Sequence, residues 1–137
     1  MTRARSRFRI RAELADVAIV RRRFAAFCTR VQKLDERVRA QLTLALDEAT
    51  TNIVRHGYSG AQGVIDIEFE ANDAAIRIRL WDDGIERAED DCIGLPPGTP
   101  GEGGMGLNLM RSMLTSIEYA RDKNRNLLVL VRDLERA

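Results

Sequence analysis

The sequence predicts an α+β fold in two layers, with a mixed, mostly antiparallel sheet covered on one face by three helices. Three observations predict this fold. The 137 residues, of which 45% are apolar, suit a single domain with one core, spanning residues 1–137. Segments with strict alternation of polar and apolar residues follow one another as hairpins, which favours antiparallel pairing. The predicted order is strand, helix, helix, strand, strand, loop, helix, strand, strand, which is not the βαβ repeat of a parallel sheet.

Composition and charge exclude several classes of protein. No apolar run approaches the roughly 18 residues of a membrane span, and the N-terminus lacks the apolar stretch of a secretory signal. Two cysteines, Cys28 and Cys92, form neither a disulfide framework nor a zinc site. The net charge is +1, although nine arginines lie within residues 1–30. With 5% aromatic residues and no recognition helix, direct binding to nucleic acid is not expected, and the sequence predicts a cytoplasmic protein without membrane contact.

The first predicted strand covers residues 7–14. Its inward face carries Phe8, Ile10, Ala12 and Leu14, and its other face carries Arg7, Arg9, Arg11 and Glu13. Two interpretations of the arginines stay open, a solvent-exposed strand face and a strip that binds a protein partner or phosphate. The surplus of acidic residues lies mainly around the later hairpin and the glycine-rich loop, so the near-neutral total covers two opposed surfaces, of which the arginine-rich one would meet a protein partner.

Two helices follow, over residues 16–33 and 35–57, with Asp16 and Asp35 as N-caps and Gly57 at the end of the second. The apolar stripe of the first helix includes Cys28, which is therefore expected to be a core residue. On the second helix, the spacing i, i+4, i+8 places three polar residues on one flank, at the rim between core and solvent: Glu48, Asn52 and His56. His56 is interpreted either as a structural residue at the helix end or as a phosphate contact.

Residues 64–82 read as a hairpin with a two-residue turn at Asn72-Asp73, a register that places Phe69 opposite Ile76. The alternation along its second strand places Asp82 on the same inward face as Ile76, Ile78 and Leu80. A carboxylate that faces the core at a strand end needs a partner or a ligand. Asp82 is therefore a candidate site residue.

A loop of about 85–104 follows, rich in glycine and proline, a length that in compact domains often accompanies function. A third helix is predicted over 105–116, with Leu109, Met110, Met113 and Leu114 on its buried side. Two closing strands, 117–121 and 127–133, flank a turn at 122–126. Glycines before the third helix leave backbone N–H groups free to bind phosphate.

Three motifs on these elements resemble those of the GHKL ATPase superfamily, which has the Bergerat ATP-binding fold, and in particular the anti-sigma-factor serine/threonine kinases. The segment 44–58, LALDEATTNIVRHGY, resembles the N-box helix. The segment 80–84, LWDDG, resembles the first glycine box, and 103–114, GGMGLNLMRSML, resembles the second. The sequence departs from the family over 85–91, IERAEDD, where members often have a segment with proline and phenylalanine.

The resemblance implies ATP and Mg²⁺ as cofactors and assigns roles to individual residues. Asn52 would hold Mg²⁺, and Glu48 would act as general base or orient the attacking hydroxyl. Asp82 would accept a hydrogen bond from adenine, and Gly84 would allow the base to approach closely. The second glycine box would present backbone N–H groups to the phosphates through Gly104, Met105, Gly106 and Leu107. The loop at 85–104 would be the ATP lid, whereas Asp47 would point away from the site.

The resemblance also implies partners. The kinase would phosphorylate an anti-anti-sigma protein of the STAS type, sequester a sigma factor, and form a homodimer. The alternative is a nucleotide-binding partner-switching regulator without kinase activity. A third reading, nucleic-acid binding through the N-terminal arginines, has no supporting motif.

Overall fold

The computed structural model describes residues 3–32, 34–57, 62–87 and 105–134, with only the backbone described for 105–108. A short 3-10 helix, Leu14–Asp16, precedes the first α-helix. The other elements, in chain order, are β1 (Ala4–Arg11), α1 (Val17–Cys28), α2 (Glu36–Gly57), β2 (Val64–Ala71), β3 (Ala75–Asp82), α3 (Met105–Ser112), β4 (Ser116–Asp122) and β5 (Arg125–Asp133). This order is the predicted one. No helix among the described residues has the length and apolar character needed to span a membrane.

The strands form one five-stranded sheet in the order β1-β2-β3-β5-β4, and each neighbouring pair is antiparallel. Inward side chains of the sheet join the helix stripes in a single core, to which each of the three helices contributes buried residues such as Phe24, Leu46 and Met110. The Phe24 ring meets the Phe69 ring edge-on, with centroids 5.1 Å apart, and so ties α1 to the sheet. The predicted two-layer α+β fold is confirmed.

The hairpin register differs from the prediction by two residues. Phe69 lies opposite Ile78 rather than Ile76. The cause is the side chain of Asn72, whose Oδ1 accepts hydrogen bonds from the backbone N–H groups of Ala74 and Ala75 at 2.8 and 2.9 Å. This bonding makes Asn72 the residue before the turn and moves the turn one position along the chain. A shift of two preserves which face each side chain occupies, so Asp82 still points inward.

The first strand ends earlier than predicted. It ends at Arg11 because the Asp16 carboxylate accepts hydrogen bonds from the Arg11 backbone N–H at 3.1 Å and from its guanidinium at 3.0 and 3.2 Å. Asp16 occupies the predicted N-cap position of α1, but its carboxylate makes no capping bond to that helix. Leu14, predicted to face inward, is 56% exposed. By contrast, Asp35 accepts a bond from the Arg37 N–H at 2.7 Å, as its predicted cap role requires.

The third helix is shorter than predicted and ends at Ser112. Its buried side carries Met110 and Met113 as predicted, whereas Leu109 is 56% exposed. The β4–β5 turn lies within the predicted 122–126 but is shorter, because β5 begins at Arg125. Its central residues Lys123 and Asn124 have φ of 50° and 64°. Both angles lie in the left-handed region that two-residue hairpin turns require.

The N-terminal arginines pair with acids of the same sheet face. Arg5 contacts Glu68 at 2.8 Å and Arg9 contacts Asp66 at 2.7 Å. These contacts form because β1 lies next to β2, so the outward side chains of the two strands share one face of the sheet. Hydrogen bonds from Arg9 hold the pKa of the Asp66 carboxyl below its usual value. The arginines of β1 and the acids of the hairpin therefore share one surface and are not opposed, which corrects that part of the interpretation. The acids at 88–104 lie outside the described residues, so the rest of it stays a prediction.

Candidate functional site

Asp82 lies at the C-terminal end of β3 and is buried, as its parity predicts. Its Oδ1 accepts hydrogen bonds from the Gly84 N–H at 3.1 Å and from Asn126 Nδ2 at 2.9 Å. The Arg87 guanidinium grips both oxygens, with Nη1 3.3 Å from Oδ1 and Nη2 2.8 Å from Oδ2. The buried charge is therefore both paired and fully hydrogen-bonded, which is the condition for a carboxylate to persist in a protein interior.

Asn126 organises the surroundings of Asp82 from the neighbouring strand. The β3–β5 register places it directly opposite Asp82, and it is completely buried. Its Nδ2 also donates to the Ile85 carbonyl at 3.0 Å, while its Oδ1 accepts from the Tyr119 hydroxyl and from Arg121. With its donors and acceptor engaged, the amide has one orientation, and this fixes the position of Asp82 Oδ1.

The sequence did not identify Asn126, Tyr119, Arg121 or Arg87 as site residues. The first three lie on the closing hairpin, to which the sequence assigns no site residue. Asn126 was placed in the predicted turn, although it continues the inward series of Leu128 and Leu130. A buried polar residue in an otherwise apolar inward series is the signal that could have identified it.

Gly84 has a packing role in the described structure. A Cβ built on Gly84 would lie 2.3 Å from the Gly57 carbonyl oxygen and 3.0 Å from Asp82 Oδ1. The Ile85 N–H donates to that same carbonyl oxygen at 2.9 Å. Gly84 therefore allows the end of α2 to dock onto the loop after β3, and its predicted role toward a base stays a prediction. This docking brings α2 to Asp82.

Glu48 and Asn52 lie four residues apart on α2, and both are half-buried, which places them on the predicted rim. Asn52 precedes Gly57 by five residues, about 7.5 Å along the helix axis at 1.5 Å per residue. The neighbouring Asp47 contacts Arg21 at 2.8 Å on the exposed surface, so it points away from this flank as expected. His56 is exposed at the end of the helix.

The second glycine box is described only in part. The first residues of α3 are Met105, Gly106 and Leu107, whose backbone N–H groups belong to the unpaired first turn of a helix. α3 contacts α2, the helix that carries Glu48 and Asn52. Gly104 and the lid residues 88–104 lie outside the described residues, so their predicted roles stay predictions.

Two further features that could carry chemistry are a cysteine thiol and a cluster of metal ligands. Cys28 is buried in the core, and burial raises the pKa of its thiol to about 11, so the thiol stays protonated at neutral pH. Within the described ranges, no group of three or more His, Cys, Asp and Glu side chains could hold a metal ion. The described residues therefore offer no ready-made cluster of three such ligands beside Asn52.

Comparisons with known proteins agree with this geometry. The chain is 28% identical over 94 residues to an anti-sigma F factor of Clostridium acetobutylicum, a match covering 65% of each protein. Its fold is similar to the histidine kinase domain of the blue-light activated histidine kinase EL346 of Erythrobacter litoralis, with a TM-score of 0.55 at 15% identity. That similarity covers 87% of this chain and 59% of the kinase chain. The sequence model of the histidine kinase-like ATPase domain family matches residues 10–132, and the chain therefore belongs to that family.

Proposed function

We propose that this chain is an ATP-dependent protein serine/threonine kinase that acts as a cytoplasmic anti-sigma factor. It phosphorylates an anti-anti-sigma protein with a STAS domain and sequesters a sigma factor. The observation that carries the proposal is the docking of α2 against the loop after β3. This contact brings the buried carboxylate of Asp82 next to the helix whose flank carries Asn52 and Glu48. The similarity to an anti-sigma F factor supports the same class.

Asp82 is the group suited to recognise the base. Its Oδ1 is held by Gly84 and Asn126. Its Oδ2 is bound by the Arg87 side chain and can accept a hydrogen bond from an exocyclic amine once that side chain moves away. The backbone N–H groups of the first turn of α3 suit the phosphates, since both the free donors and the helix dipole favour negative charge.

Asn52 and Glu48 have different roles in the proposed phosphoryl transfer. Asn52 offers an amide oxygen, a ligand type that Mg²⁺ accepts when phosphate oxygens and water complete the octahedron. When bound, Mg²⁺ offsets charge on the phosphates. Glu48, one turn earlier and half-buried, can accept the proton of a serine or threonine hydroxyl that approaches the rim.

The test is phosphotransfer from labelled ATP to the STAS partner, comparing Glu48→Gln with Asp47→Asn. Both changes remove one carboxylate from the same stretch of α2, but Asp47 is committed to Arg21 on the exposed surface. We expect Glu48→Gln to slow transfer by about 10²–10⁴-fold, the range for loss of a general base, with ADP binding unchanged. Asp47→Asn should transfer at the wild-type rate. Equal rates in the two variants would exclude Glu48 as the base.

The alternative is a partner-switching regulator that binds nucleotide and does not phosphorylate. Under this alternative, the wild-type chain binds ADP and releases or retains its partner according to the bound nucleotide, but it transfers no phosphate to that partner. Co-purification from the native cell, with and without ATP, identifies the partner and shows whether nucleotide controls the complex. Size-exclusion chromatography with light scattering tests the proposed homodimer, for which β1 at the sheet edge is a candidate interface.

A further inference from the structure

The ion pair between Arg87 and Asp82 is unusual among those of the described residues. The side chains of its two members are 9% and 1% exposed, whereas the arginines of the other described ion pairs are 25–67% exposed. Its two parallel hydrogen bonds are the fork geometry that makes an arginine–carboxylate pair strong and directional. Arg87 is thus built into the interior next to Asp82 rather than lying on the surface.

The slot that holds the guanidinium is shaped on several sides. On one side lies Gly57, where an added Cβ would come within 2.9 Å of Arg87 Nη1. On another lies the Tyr119 ring, whose centroid is 5.9 Å from the guanidinium carbon, and the Tyr119 hydroxyl accepts the Arg87 backbone N–H at 3.2 Å. The glycine at the end of α2 therefore leaves the space that the guanidinium fills.

Arg87 occupies the one oxygen of Asp82 that the fixed framework leaves open. Gly84 and Asn126 both donate to Oδ1, whereas among the described residues the hydrogen bond to Oδ2 comes from Arg87 Nη2. A base amine that binds Asp82 through Oδ2 needs the direction and space that the guanidinium fills. Arg87 also lies in the segment 85–91, where the sequence departs from the family pattern.

We propose that Arg87 plugs the base-recognition site and competes with the adenine ring for Asp82. The inference rests on the proposed function, because it takes Asp82 as the residue that recognises the base. In the nucleotide-free protein the guanidinium is bound to Asp82, and a nucleotide binds only when it leaves. The apparent dissociation constant is then the intrinsic one divided by the fraction of molecules with the plug open. Arg87 thereby sets the nucleotide concentration at which the protein responds.

The experiment measures binding of adenosine and of Mg²⁺-ADP to the full chain by titration calorimetry. The test variant is Arg87→Met, which keeps the length of the side chain and removes the guanidinium. The control is Arg79→Met, because Arg79 makes the same kind of ion pair, with Glu68 at 2.7 Å, on the outer sheet face. We expect Arg87→Met to lower the dissociation constants of both ligands by about tenfold, which corresponds to a plug that is open in about a tenth of the wild-type molecules. Arg79→Met should leave both affinities unchanged.

Adenosine separates the alternatives because it lacks phosphate. If Arg87→Met weakens ADP binding and leaves adenosine binding unchanged, Arg87 binds phosphate and the plug is excluded. Unchanged or weaker binding of both ligands also overturns the inference. If neither the wild type nor a folded Arg87→Met variant binds any adenine compound, the proposed function itself fails.

A second measurement uses the unmodified protein and does not depend on the variant folding. In side-chain NMR of the wild-type chain at low temperature, the Arg87 Nη–H groups that donate to Asp82 should be protected from exchange with water. Saturation with adenosine should abolish that protection. Protection that persists at saturation would show that the ion pair survives binding, which contradicts the plug.

Discussion

Replacing Gly84 by alanine separates the role that the sequence suggests for this residue from the role that the structure gives it. The added Cβ would lie 2.3 Å from the Gly57 carbonyl oxygen and 2.9 Å from its carbonyl carbon. Both atoms belong to backbone, so no side-chain rotation relieves the contact. To reach an ordinary separation, the loop after β3 must move away from α2 by about 1 Å, as overpacked sites generally require backbone shifts.

That movement has two costs. Overpacking of this kind destabilises by about 1–3 kcal/mol. The hydrogen bond from the Ile85 N–H to the Gly57 carbonyl, 2.9 Å long, is broken, which adds about 1 kcal/mol. We therefore expect Gly84→Ala to lower the free energy of unfolding by about 3 kcal/mol and the Tm by about 10 °C for a chain of this size.

Urea denaturation followed by the fluorescence of Trp81, the single tryptophan, measures this change. The control is Glu118→Ala, at an exposed position on β4, which should differ from wild type by less than about 0.5 kcal/mol.

The competing explanation is that Gly84 serves the approach of the base. It predicts that Gly84→Ala loses adenosine binding while the free energy of unfolding stays within about 0.5 kcal/mol of wild type, the range of neutral substitutions. That result would refute the packing argument. A loss of stability that Glu118→Ala does not share supports it.

Two further predictions concern stability. Changing Lys123-Asn124 to Asn-Gly should stabilise the protein by about 1 kcal/mol, because both positions have positive φ and this pair is favoured in such turns; a Tm that does not rise would contradict it. Because Arg9 lowers the pKa of Asp66, the stabilisation from this pair is present above the usual carboxyl pKa near 4 and is lost as the pH falls through the lowered value. Asp66→Asn should therefore flatten the fall in unfolding free energy below about pH 4, and an unchanged pH profile would show that the pair contributes nothing.

Much of the fold could be predicted because its signals are local. Alternation along 64–82 fixes which side chains face the core, and this parity placed Asp82 inward without knowledge of its partner. The stripe of α2 likewise places Glu48 and Asn52 on its flank. The ends of helices and strands are predicted less accurately. The end of β1 depends on the Asp16 carboxylate, whose preference for Arg11 over the helix end is not visible in the residue types.

The sequence by itself determined the order of the elements, the face of each strand and the inward carboxylate of Asp82, because side-chain direction follows from backbone periodicity alone. Only the tertiary structure decided what Asp82 touches. Arg87, Asn126 and the end of α2 meet it through strand pairing and helix docking, which join residues distant in the chain. The pairing of the N-terminal arginines with the acids of β2 depends on which strands are neighbours. Even the hairpin register escaped prediction, because a shift of two residues leaves every side chain on its original face and so leaves the pattern unchanged.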